Sequence, residues 1–158
     1  MIDSSELLTN LVAKLGLIPE LVTEMGGDAT RIFAYFDAYP KRVSLAHAIH
    51  TMPAPSIMAA WQGTTPANQG GMDVWKHHVT LYLRARQTAD SDPPTAYYRL
   101  FRLIVKGVPS TDSLPMENVV VHDSCYPMDL PSIQRSTDAE GLDYFEVPLT
   151  FTEIGDES

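Results

Sequence analysis

Between Val74 and Arg86 the chain alternates apolar and polar side chains, a period of two that only an extended strand can use. Trp75, His77, Val79, Leu81, Leu83 and Ala85 form one set. Lys76, His78, Thr80, Tyr82, Arg84 and Arg86 form the other. The first set suits a core; the second suits water or a partner. A half-buried strand of this length needs neighbouring strands to satisfy its main chain, so the fold is built on a sheet.

The neighbours can be read on either side. Asp3 and Glu6 form a capping-box-like start, and Leu7, Leu8, Leu11, Val12 and Leu15 recur at helical spacing until Gly16. Pro19 opens a second short turn through Leu21 and Val22, ended by Gly26 and Gly27. Arg31–Asp37 reads as an aromatic strand that stops near Pro40. Ser44 caps a short helix from Leu45 to Ile49, and Ser56–Trp61 is a compact apolar strand. Gln62–Asp73, with Gly63, Pro66, Gly70 and Gly71 and no large apolar residue before Met72, is expected to be a long exposed hairpin loop.

Beyond the central strand, Thr95 is a candidate N-cap. Tyr97, Leu100, Phe101, Ile104 and Val108 then mark one stripe of a helix ending at Gly107-Val108-Pro109. Met116–Val121 has strand character, 122–131 is irregular or an edge, and Ile133–Thr137 is a short strand before the turn Asp138–Gly141. Phe145, Val147, Leu149 and Phe151 alternate in a last strand. Pro148 places it at an edge or at least faces outward. Hairpins with helices between them give an α+β fold: a mainly antiparallel twisted sheet of about five strands, with helices packed on one face.

The chain has 158 residues, enough for one domain spanning 1–158. Eleven basic and 20 acidic residues leave a net charge of −9, and such a field opposes sequence-independent binding to phosphates. The only cysteine, Cys125, cannot form an intramolecular disulfide, which suits a reducing compartment. An acidic start without a basic leader and apolar runs too short for a bilayer point to a soluble, intracellular chain without membrane contact.

This organisation resembles the tail-terminator (tail-completion, minor tail protein U-like) family of long-tailed bacteriophages. The likeness runs through the opening helix Leu7–Leu15, Arg31-Ile-Phe-Ala-Tyr, Pro55-Ser-Ile-Met-Ala-Ala-Trp61, Val74–Arg84, Tyr97–Ile104 and the closing Asp143–Glu153. It is a likeness of pattern and carries no short diagnostic motif. It implies a virion structural protein, made in the host cytoplasm and located at the tail and neck. In that role the chain forms a hexameric ring on the last tail-tube subunits and joins them to the head-closure or connector protein. DNA passes through the lumen without specific binding, and neither catalysis nor a cofactor is involved. Another neck component, such as a head-closure protein, is the alternative.

A closed ring of one chain needs a heterologous interface. The candidate interface residues are Gln62, Thr64, Asn68, Gln69 and Met72 of the expected loop, Lys76, His78, Tyr82, Arg84 and Arg86 of the polar strand face, and Tyr126 and Met128 of the proline-rich stretch.

Other constellations point less sharply to chemistry. His77 and His78 leave a strand on opposite faces and cannot share a metal. His77 reads as a satisfied, half-buried residue and His78 as a surface one. His47 and His50 stand at a helical spacing that could share a metal, without an evident third ligand. His122-Asp-Ser-Cys125 groups a base, an acid and two nucleophiles. Contiguity in an extended segment turns alternate groups apart, so a packed thiol outweighs a cysteine hydrolase. The glycines lack the ending of a phosphate loop. Arg84, Arg86, Arg99 and Arg102 with Tyr82, Tyr97 and Tyr98 could stack on nucleic acid, but suit a protein interface as well.

Overall fold

The computed structural model describes residues 2–36, 43–85, 93–107, 125–127, 132–138 and 140–154. Its helices are α1 (Ser4–Gly16), α2 (Pro19–Glu24), α3 (Leu45–Thr51) and α4 (Pro93–Gly107). Its strands are β1 (Ile32–Ala34), β2 (Ser56–Gln69), β3 (Met72–Arg84), β4 (Cys125–Pro127), β5 (Gln134–Thr137) and β6 (Asp143–Ile154). A 3-10 turn at Ala29–Arg31 leads into β1.

The six strands form one sheet in the order β1-β2-β3-β6-β4, with β5 also on β6. Among the described residues only the β1–β2 pair is parallel. β4 pairs with β6 at Glu153–Phe151 and β5 pairs with it at Glu146–Asp143, so these two share the outer side of one strand. The sheet is therefore five strands wide, mixed and mainly antiparallel, and the α+β class is as the alternation predicts.

One face of the sheet carries the larger core. Ile57 and Ala59 of β2, Leu81 and Leu83 of β3, and Val147 and Leu149 of β6 meet Leu7, Leu11 and Leu15 of α1, Leu21 of α2, and Leu100 and Ile104 of α4. Complete burial of leucines such as Leu7, Leu11 and Leu15 contributes about 1.5–3 kcal/mol each, so this stripe fixes α1. Tyr97 stacks on Phe145 with ring centroids 4.1 Å apart. Asp3 caps α1 by accepting from the Ser5 amide at 2.7 Å.

α3 departs from the expectation of helices on one face. It covers the opposite side, where Ile49 and Met52 pack on Met58, Ala60, Tyr82 and Tyr144. Ser44 caps it by accepting from the His47 amide at 3.2 Å, as its position predicts.

Three local expectations are corrected. Gln62–Asp73 is not a loop: ladder pairing runs without a gap from Gly63↔His78 to Gln69↔Met72, and the hairpin's length lies in its strands. The connection is Gly70-Gly71, with φ of 63° and 83°, the signs a two-residue type I′ turn requires. The absence of large apolar residues there reflects a ladder open to solvent, not a missing strand.

The last strand is interior rather than an edge, with β3 on one side and β4 and β5 on the other. Pro148 lies in the interval between the β4 and β5 pairings, where its missing N–H interrupts neither, and it faces outward, the other outcome that the proline allowed. α4 begins at Pro93, so Thr95 is inside the helix; proline's fixed φ suits a first turn.

The aromatic strand is short, ending at Ala34, and Asp37–Pro40 lies outside the described residues. Met116–Val121, Val108, Arg86, His122 and Met128 also lie outside them.

Candidate functional site

The distal half of the hairpin is the most distinctive surface. β1 pairs with β2 only at Ile57–Ala59, so from Trp61 onward β2 has β3 alone as a partner among the described residues. A register shift between Trp61 and Gly63 bulges the strand at Gln62. Trp61 is left 45% exposed, and Met72, at the far end, 49%. Gln62 and Asn68 are exposed, and Thr64 is half-buried. From Trp61 to Met72 there is no charged side chain.

A polar chain, exposed at Trp61 and buried from His77 inward, ties this surface to the N-terminal segment. Trp61 Nε1–H donates to Thr64 Oγ1 at 3.1 Å, and Thr64 Oγ1 lies 2.8 Å from His77 Nδ1. His77 Nε2 lies 2.9 Å from Glu153 Oε1, and both oxygens of Glu153 accept from the Ile2 amide, at 3.0 and 2.9 Å. The register explains the meeting: Thr64 pairs with His77 across β2–β3, and Glu153 lies diagonally across on β6. Burial pushes the Glu153 carboxyl up. The hydrogen bonds from His77 and the Ile2 amide more than offset this and hold it below its ordinary value. His77 is fully buried, 1% exposed, not half-buried as expected. A Thr–His–Glu sequence is also the order of a nucleophile relay. Here the imidazole is sealed and the carboxylate already serves a main-chain amide, an arrangement suited to support rather than turnover.

The second polar cluster lies under α3. Arg84 donates from Nε and Nη2 to Ile49 O at 3.2 and 2.8 Å, capping the C-terminal end of α3. Its Nη2 also meets Asp138 Oδ2 at 3.1 Å. Asp138 Oδ1 accepts from the amides of Glu140 and Leu142, and Oδ2 meets His50 Nδ1 at 2.9 Å. The hydrogen bond from His50, ahead of the amide and Arg84 bonds, holds the Asp138 carboxyl far below its ordinary range. Beside this cluster a cleft of about 490 Å³ is lined by Leu45, Ile49, His50, Asp138, Glu140 and Tyr144.

Several expected interface residues are elsewhere. Tyr82 and Arg84 are 5% and 8% exposed, because α3 covers the strand face that the alternation assigned to water or a partner. Tyr82 accepts from Gln62 Nε2 at 2.9 Å and packs on Tyr144. Lys76 and His78 remain half-buried at the surface. Gln69 and Tyr126 are placed in β2 and β4, opposite Met72 and Thr152.

His47 is exposed while His50 is held by carboxylates, so the structure gives the two no shared ligand. Among the described residues no three His, Cys, Asp or Glu side chains are grouped to hold a metal. Cys125 opens β4, and the remainder of His122–Cys125 lies outside the described residues. Arg84 and Tyr97 are buried apart from the exposed Tyr98, Arg99 and Arg102, so among the described residues these groups do not share one surface.

Two participants were not anticipated. Trp61 entered only as the end of the apolar strand Ser56–Trp61, although its place at the border of an uncharged, glycine-bearing segment was the available signal. Asp138 read as a turn residue only. No helix is long and apolar enough to cross a membrane among the described residues. No protein-family profile and no curated protein sequence matches the chain.

Proposed function

We propose that this chain is a ring-forming structural subunit of a tailed phage, a tail terminator that ends tube growth and joins the tube to the head connector. The observation that carries the reading is the uncharged distal hairpin with Trp61 exposed, in a chain whose net charge is −9. Copies of so acidic a chain repel one another, and a charge-free patch with an aromatic anchor is where they can approach. The bulge at Gln62 and the proline at 66 blunt main-chain strand addition along this edge. The neighbour then meets side chains, with Trp61 at the base of the distal hairpin, Met72 at its tip and Gln62, Thr64 and Asn68 between them. The Thr64–His77–Glu153 chain, buried at His77 and Glu153, supports that surface from beneath. The acidic remainder suits a lumen through which DNA passes.

In this reading the chain has no catalytic or cofactor role, and its partners are its own copies, the tail-tube protein and the head-closure protein. Light-scattering mass after gel filtration, with negative-stain images of the same peak, tests it. Hexameric rings are expected. A purified chain that instead turns over a substrate through His77 would overturn the reading.

A further inference from the structure

The cleft beside α3 contains an imidazole with a carboxylate at each nitrogen. His50 Nδ1 lies 2.9 Å from Asp138 Oδ2, and Nε2 lies 3.3 Å from Glu140 Oε2. Ionised carboxylates only accept, and a neutral imidazole carries a single N–H. The Asp138 contact is a hydrogen bond that the ring donates in either state, whereas the Glu140 contact is an ion-pair approach that attracts only the imidazolium.

The other groups facing the ring do not change this balance. Arg84, from β3, is committed to Ile49 O and to Asp138. The Tyr144 hydroxyl, on β6, accepts from Ser136 at 3.2 Å. His47, on α3 itself, is exposed at the rim. The two carboxylates differ in how firmly they are held. Asp138 keeps Arg84 and two turn amides whatever the state of His50. Glu140 is 71% exposed and meets no other cation among the described residues.

We propose that His50 is a proton-operated clasp between α3 and the β5–β6 turn: the imidazolium holds both carboxylates and closes the cleft, and the neutral ring keeps Asp138 and releases Glu140. The hydrogen bond to Asp138, with the nearby charge of Glu140, raises the His50 pKa above its ordinary 6.5. A raised folded-state pKa means the clasp contributes fully below 6.5 and is lost as pH rises through the raised value. The cleft is closed at mildly acidic pH and opens on the alkaline side. This device does not depend on the ring reading.

An NMR titration of the full chain tests it, following the His50 ring nitrogens, the Glu140 side-chain carboxyl carbon and exchange protection of the turn amides. The clasp predicts a His50 midpoint above 6.5, with the Glu140 signal and the turn protection changing at the same pH. Glu140→Gln moves the midpoint down, and His50→Gln removes the step in turn protection while the rest of the spectrum is retained. A His50 midpoint at or below 6.5, or a Glu140 signal that ignores the His50 titration, overturns the proposal.

Discussion

His77 and Glu153 stand 76 positions apart in the chain and meet as a buried pair, Nε2 to Oε1, at 2.9 Å. The pair links β3 to β6 beneath the exposed end of the hairpin, and through Glu153 it reaches the main chain at Ile2. Removing one partner of a buried pair leaves an uncompensated polar group, whereas replacing both with apolar residues of similar volume is often neutral. His77→Leu and Glu153→Leu are each expected to cost about 3–5 kcal/mol, with the double change recovering part of this, since the Ile2 amide still loses its acceptor. Urea unfolding midpoints of the two singles and the double check this. A purely additive cycle would show that the pair is not coupled.

Acid should loosen the same contacts. Glu153 and Asp138 both have carboxyl pKa values below their ordinary 4.5 and 3.8. Their contribution is therefore present above those values and is lost as pH falls through the lower folded ones. Thermal midpoints measured from about pH 5 downward should decline, and Glu153→Gln should flatten part of that decline.

Arg84 separates a structural role from an interface role. It is buried and supplies a bidentate cap to Ile49 O together with the Asp138 pair, a geometry that an ammonium cannot reproduce. Arg84→Ala is expected to destabilise by about 3–5 kcal/mol, and Arg84→Lys to recover only part of this. Lys76→Ala, at the surface of the same strand, should stay within about 0.5 kcal/mol. Denaturation of the isolated chain reads all three.

The hairpin turn gives a backbone test. A Cβ at Gly70 or Gly71 would meet nothing within 4 Å, so the cost of a side chain there comes from positive φ alone. Gly71→Val should cost about 1–3 kcal/mol, and Gly71→Asn much less, because asparagine visits that region readily. Proteolytic nicking at the tip should rise for the valine variant only.

Much of the fold was legible because period-two alternation and leucine spacing report directly on which side of an element is buried. Val79, Leu81 and Leu83, and Leu7, Leu11 and Leu15, lie where that logic puts them. The distal hairpin was hidden because a ladder with little to bury carries no apolar alternation, and its glycines and proline look like a loop. Tyr82 and Arg84 misled because a short helix brought from elsewhere in the chain can cover a polar strand face, provided each polar group finds a partner. The meetings of Thr64 with His77 and Glu153, and of His50 with Arg84 and Asp138, depend on register and on residues far apart in sequence. No local pattern announces them.

The ring reading predicts that Trp61→Lys abolishes association between copies while leaving the circular dichroism spectrum and unfolding midpoint nearly unchanged, since Trp61 is half in solvent. Unaltered association in that variant would move the interface away from the distal hairpin and remove the observation that carries the ring reading.

The most direct measurement of that role is the length distribution of tail tubes assembled with and without the chain, imaged by electron microscopy with the chain labelled. Tail termination predicts tubes of fixed length carrying the label at one end, and overgrown tubes without it. Tubes of the same length in both samples, or label that never appears at a tube end, would contradict it.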